Sequence, residues 1–173
     1  MTFNIIGQLL TFISYAIFWI SRFLNSKRKM LVLDNLSRIA AIISFICLGS
    51  VNGIMNTLFV MVRNYCGQKT ESMDIGVKRK TFLVLLIILI FMYTVTYGGM
   101  STIVLFICAV FNLIGVILCD EQGIRLYGLG GSAFYAIFLL LIHNYTGFVC
   151  EIICAVILVS SYLMYKNKER LGE

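Results

Sequence analysis

The chain has 173 residues, of which 60% are apolar and 13% charged, with a net charge of +6. At a mean hydropathy of +0.95 this composition belongs to an integral membrane protein and excludes a water-soluble domain. A membrane helix takes roughly 20 apolar residues, so the length holds about six to eight spans and leaves no room for a soluble catalytic domain. The basic residues flank apolar runs, so the positive charge reads as orientation in the bilayer. A nucleic-acid partner is not expected.

The first span is expected over 3–23, with Gln8, Tyr15 and Trp19 as candidate cavity residues or interfacial anchors. It has no basic leader and no small-x-small cleavage site, and reads as a retained span. The basic loop Lys27-Arg28-Lys29 leads to span two, over 30–49. Asp34 and Arg38 lie one turn apart there, the spacing of a local ion pair. A polar turn at 50–53 opens span three, which ends near Tyr65. Its length of about 16 residues gives about 24 Å, short for a spanning helix, and its Arg63 is expected to snorkel to the interface.

The loop 66–80 ends in Lys78-Arg79-Lys80, and span four, over 81–96, is the most uniformly apolar. After the Tyr97-Gly98-Gly99 turn, span five over 100–118 holds Asn112. The loop 119–123 leads to span six, over 124–142, whose Gly128-Leu129-Gly130-Gly131-Ser132-Ala133 stretch allows close helix approach. The turn Asn144-Tyr145-Thr146-Gly147 opens span seven, over 145–165, and a basic tail follows. With alternate sides assigned to successive loops, all 14 Lys and Arg residues fall on or near one side. The positive-inside rule then puts the N-terminus outside and the C-terminus in the cytoplasm. Seven of the 8 acids share that side, and Glu151 is the exception.

An offset of 94 residues lays span one on span five, span two on span six and span three on the start of span seven. One span lies between the two trios, so they share an orientation and would be related by an axis along the membrane normal. The expected fold is an all-α integral membrane protein of seven transmembrane helices: two parallel triple-helix bundles joined by a linker helix. The divisions fall at 1–66 for the first bundle, 67–99 for the cytoplasmic loop and linker helix, and 100–173 for the second bundle and tail.

Glu151 is the leading candidate site residue. A carboxylate inside an apolar segment is costly unless partnered or protonated. It reads either as a contact for a cationic or polyhydroxyl solute, as a proton carrier, or as a hydrogen bond across helices to His143, Asn144 or Asn56. The amides of Asn56 and Asn112 offer donors and an acceptor inside spans, suited to a polar solute or to a helix–helix bond. His143 and Asn144 lie at the outer mouth. No Cys-x-x-Cys occurs and there is 1 histidine for 6 cysteines, so no metal is expected and the thiols read as packing groups. No cofactor is expected. With no His-Glu-x-x-His, no nucleophile elbow and no second buried acid, catalysis is not expected either.

Gly49-x-x-x-Gly53-x-x-Asn56, Arg63-Asn64 and Ile142-His143-Asn144-x-x-Gly147-x-x-x-Glu151 resemble the bacterial YgjV-type inner-membrane proteins, grouped with the SWEET, PQ-loop and PnuC-like proteins. The resemblance spans nearly the whole chain and implies an inner-membrane location and the two-trio architecture. It departs from the PQ-loop pattern in having no proline. By analogy it implies a transporter or facilitator for a polar small solute (sugar-, vitamin- or nucleoside-like) that alternates access between the trios, with Asn56, Glu151 and Asn112 as solute contacts. The alternative is a non-transporting receptor or a vitamin-binding subunit of a larger complex. The lipid bilayer is a partner in either case, and an oligomer is permitted but not required.

Overall fold

A computed structural model describes residues 2–24 and 26–171, and the side chains of 5–24 and 26–166. Among the described residues there are seven helices and no strand: α1 (Thr2–Arg22), α2 (Lys27–Cys47), α3 (Val51–Lys69), α4 (Ile75–Val95), α5 (Met100–Leu118), α6 (Glu121–Leu141) and α7 (Tyr145–Leu171). They follow the seven expected spans in order. Helix α4 starts earlier than expected, because its Lys78-Arg79-Lys80 run is already helical.

Five of the helices, α1, α2, α5, α6 and α7, are long and apolar enough to cross a membrane. Helix α3 is diluted by Asn56, Thr57, Arg63 and Asn64, all of which are buried, while its outer face shows Leu58, Val62 and Tyr65. Mean hydropathy misses a helix whose central polar side chains point inward. Helix α4 carries its charge at one end, and its exposed face is Leu83, Val84, Ile87, Phe91 and Val95. Polar groups inward and aliphatic groups outward is the arrangement a lipid solvent imposes.

Helix α1 packs on α2, α2 on α3, α5 on α6 and α6 on α7; α3 packs on α5, and α7 returns to α1. Six helices thus close a ring, and α4 lies outside it against α5 and α3. The 94-residue offset holds down to individual hydrogen bonds. Helix α2 ends with the amides of Leu48, Gly49 and Ser50 bonded to the carbonyls of Ser44, Ile46 and Phe45. Helix α6 ends with Ile142, His143 and Asn144 bonded in the same way to Phe138, Leu140 and Leu139. Both are six-to-one closures around a left-handed residue: Gly49 at φ 68° and His143 at φ 56°. Each is followed by an N-cap, Ser50 accepting from the Gly53 amide at 3.2 Å and Asn144 accepting from the Gly147 amide at 2.9 Å.

Contacts between the trios obey the same relation. Asn52 Nδ2 donates to Thr102 Oγ1 at 2.9 Å. The positions 94 residues away in each direction, Thr146 and Gln8, also meet, the Thr146 amide donating to Gln8 Oε1 at 3.1 Å. This reciprocal pairing is the mark of a two-fold interface. At the far end the backbone amide of Lys27 donates to Glu121 Oε1 at 3.2 Å, joining two equivalent positions directly. The trios are related by a pseudo-two-fold axis down the middle of the ring.

Candidate functional site

A cavity of about 70 Å³ lies inside the ring, space for roughly five ordered waters. Its wall repeats the offset. Ser14 and Cys108, Tyr15 and Ala109, Phe18 and Asn112, Ser37 and Gly131, Arg38 and Ser132, Ala41 and Tyr135, Phe45 and Leu139 are pairs 94 residues apart, and both members of every pair line it. The cavity therefore sits on the axis. Its backbone frame is duplicated and its side chains are not.

One group in the wall is built around Glu151, which lies six residues into α7, about 9 Å along the helix. Its Oε1 accepts from Ser132 Oγ of α6 at 2.5 Å, and its Oε2 accepts from the Tyr15 hydroxyl of α1. The carboxylate thus ties three helices together while lining the cavity, and is 6% exposed. Beside it Asn144 Nδ2 donates to Thr11 Oγ1 at 3.2 Å, and Thr11 shares a hydrogen bond with Ser44 at 2.6 Å.

A second group is cationic. Asp34, 1% exposed, holds Arg38 at 2.8 Å and Arg22 at 3.7 Å, and its Oδ2 accepts from Asn64 Nδ2 at 2.8 Å. Asn64 Oδ1 in turn accepts from Arg63 Nε at 3.2 Å and Nη2 at 2.9 Å. The Phe18 ring lies 4.0 Å from the Arg22 guanidinium and 5.2 Å from that of Arg38, a favourable cation–π placement. Arg22, Arg38 and Arg63 all line the cavity. Arg22 Nε is buried with no hydrogen-bond partner among the described residues.

Four of the five expected site residues, Asn56, Asn112, Asn144 and Glu151, converge on this one cavity. Asn56 Oδ1 accepts from Tyr93 of α4 at 3.0 Å, leaving its Nδ2 for the cavity. Asn112 bonds back to the Cys108 carbonyl at 3.0 Å, leaving its Oδ1. Asn144 has both ends of its amide engaged within the protein. His143 is outside the wall: it is exposed, its ring contacts the Tyr145 hydroxyl at 3.2 Å, and it does not reach Glu151.

Two other expectations need correction. Arg63 does not snorkel outward; it is 3% exposed and faces the cavity, because α3 is the helix between α2 and α5 in the ring. The Asp34–Arg38 pair forms, but it is one edge of a larger network with Arg22 and Asn64, and Asp34 is a second buried acid beside Glu151 where none was expected. Of the first-span residues, Tyr15 lines the cavity, whereas Gln8 bonds to the backbone at 143 and 146 and Trp19 packs beside Tyr15 at 6.2 Å. The arginines and Ser132 were missed as site residues. For Arg38 alone a signal was available, the spacing Asp34, Ser37, Arg38, Ser44, a polar stripe along one face of α2.

The ring and its buried polar chamber define a multi-pass helical membrane protein with a polar cavity on its pseudo-symmetry axis. The chain belongs to the Imp-YgjV family of bacterial inner membrane proteins, whose family model matches residues 5–169. It is accordingly a multi-pass protein of the bacterial inner membrane. No curated protein matches the chain, and no solved structure does.

Proposed function

We propose that the chain is a small transporter or facilitator for a polar solute, which occupies the axial cavity while the two trios tilt alternately about it. The single observation that carries this reading is a polar chamber lined by both trios on the pseudo-two-fold axis, the place where a tilt of one trio against the other would open one end and close the other. Parallel repeats of this kind occur in the SWEET transporters. Asn56 Nδ2, Asn112 Oδ1 and the Glu151 carboxylate are the proposed solute contacts, each reaching the cavity from a different helix. Asn144 acts as the cap that holds the start of α7 in place. By the positive-inside rule the end bearing Lys27–Lys29 and Lys78–Lys80 faces the cytoplasm.

Purified protein in liposomes is the test. Expected is saturable flux of at least one member of a panel of polar solutes, falling at least tenfold in Glu151→Gln. A panel of sugars, nucleosides, amines and organic acids that shows no flux would defeat the reading. Orientation is checked separately with an impermeant maleimide, which should label Cys66 and Cys119 from the cytoplasmic side only.

A further inference from the structure

Inside the ring, charge is out of balance. Three guanidinium groups, Arg22, Arg38 and Arg63, stand in the cavity wall against two carboxylates, Glu151 in the wall and Asp34 behind it. One positive charge is left over even with both acids ionised. The two acids are also not shared evenly. Glu151 is engaged by the hydroxyls of Tyr15 and Ser132, whereas Asp34 alone serves the arginines, at 2.8 Å to Arg38 and 3.7 Å to Arg22. Arg63 has no carboxylate within ion-pair distance among the described residues; its fork is met by a neutral amide oxygen of Asn64. The remaining groups facing the cavity from α5 and α6, Cys108, Asn112 and Tyr135, carry no balancing charge.

A buried, uncompensated cation is expensive, and a fork-shaped one is built to accept two oxygens at once. The cost is relieved if the cavity's occupant brings the missing negative charge. The cavity's size sets a scale: about 70 Å³, space for roughly five waters, suits an ion of a few heavy atoms.

We infer that the solute is a small oxyanion, a carboxylate or phosphate, whose oxygens are met by Arg63 together with Arg22 and Arg38, while its remaining polar atoms face Asn56 and Asn112. This rests on the carrier reading of the same cavity, narrows its substrate class and takes Glu151 out of direct contact with the solute, leaving its carboxylate to tie α1 and α6 to α7 through Tyr15 and Ser132. It departs from the cationic, sugar-like and nucleoside-like solutes that the sequence suggests, because those would leave the surplus charge unmet.

The sole tryptophan, Trp19, lies 6.2 Å from the Tyr15 ring that lines the cavity, so its fluorescence reports occupancy without any flux measurement. Wild-type protein in neutral nanodiscs is titrated with acetate, succinate and inorganic phosphate, and in parallel with glucose, uridine and choline. Expected is a saturable change with at least one anion and none with the neutral or cationic probes, weakened at least tenfold in Arg63→Gln. Glutamine keeps a donor toward Asn64 and breaks no ion pair; should it not fold, Arg63→Lys, which keeps the charge and loses the fork, should weaken binding by a smaller factor. Anion binding as tight as wild type in a folded Arg63→Gln, or binding confined to neutral or cationic probes, overturns the inference. Uridine or glucose flux without anion binding leaves the carrier reading standing and removes this one. Anion binding without flux of any anion does the reverse, and silence from the whole panel in both assays removes both.

Discussion

Position 34 of the first trio carries Asp34, the centre of a buried ionic network, and its equivalent 94 residues on is Gly128. Arg38 is matched by Ser132, Tyr15 by Ala109, and Ala41 by Tyr135, all of them in the cavity wall. The closures of α2 and α6, the caps of α3 and α7 and the inter-trio bonds, by contrast, fall at matching positions. Side chains close to a two-fold axis face their own equivalents, so a faithful copy would set arginine against arginine and tyrosine against tyrosine. The first would repel and the second would fill the chamber. Breaking the repeat in the wall while keeping it in the backbone leaves an open space and a defined charge within it. The difference teaches that the duplication supplies the frame and the departures supply the site.

The strongest way to sharpen that contrast is at its most unequal pair. Asp34→Asn strips the carboxylate from Arg22 and Arg38 inside the ring. Removing one partner of a buried ionic network costs about 3–5 kcal/mol. The expected outcome is a steep fall in folded yield and in the detergent-solubilised Tm. The matched substitution Gly128→Ala meets only Leu158 carbons, the nearer at 3.6 Å, ordinary van der Waals contact. It should be neutral or stabilising by up to about 1 kcal/mol, the helix-propensity gain of alanine over glycine. Equal losses at the two sites would contradict the asymmetry.

The next pair probes space instead of charge. A Cβ at Gly131 would collide with the Asn112 amide, because α5 and α6 approach at this point to shape the wall. Gly131→Ala is expected to cost about 1–3 kcal/mol, the range for overpacking, and to weaken solute binding by displacing Asn112. Its equivalent, Ser37, donates to the Asp34 carbonyl within the same helix at 2.7 Å. Ser37→Ala should cost about 0.5–1 kcal/mol, since only one local hydrogen bond is lost. Thermal unfolding of both variants, with Trp19 fluorescence for binding, separates the two cases.

Much of the frame was legible in the sequence because lipid imposes a simple rule: apolar runs of the right length, separated by charged or turn-forming loops, with the charge on one side. The offset of 94 could be found from Gly49 and Gly53 against His143 and Gly147, since closures and caps demand particular residue types at fixed spacing. The convergence of Asn56, Asn112 and Glu151 was likewise within reach, because isolated polar groups in membrane helices turn inward. The arginine group was not. Arg63 near a helix end reads the same whether the side chain climbs to the interface or folds into a chamber, and only the place of α3 in the ring decides between them. The Tyr15 partner of Glu151 comes from the other end of the chain and the Ser132 partner from the preceding helix, with nothing in the local pattern to join the three. His143 shows the opposite case: a titratable group near an acid in sequence that stays exposed beside Tyr145 and outside the chamber wall.

The caps form a closer match. Asn144 spends its amide on the Gly147 amide and on Thr11 of α1, whereas Ser50 serves only the Gly53 amide. Asn144→Ala is expected to cost about 1–2 kcal/mol and Ser50→Ala about 0.5–1 kcal/mol, following the usual range for N-caps. Hydrogen exchange at the starts of α7 and α3 gives a local readout: faster exchange should be confined to the helix whose cap is removed. The reverse ranking would mean that the bond to Thr11 contributes nothing to joining α7 to α1.

The smallest expected effect has opposite signs at its two ends. Gly49 and His143 occupy the same left-handed position, at φ 68° and φ 56°, which an L side chain enters at a cost of about 1–2 kcal/mol. A Cβ at Gly49 would meet nothing within 4 Å, so Gly49→Ala should lose about 1 kcal/mol for backbone reasons alone. His143→Gly relieves the same strain at the equivalent site and gives up only the ring's contact with Tyr145. It should be neutral or raise stability by up to about 1 kcal/mol. Because His143 lies outside the chamber, His143→Gly should also bind and move solute as wild type does. A loss of transport in that variant, with its Tm unchanged, would place the imidazole on the solute's route and undo the separation between frame and site at the one position where a functional side chain sits in a frame residue's backbone.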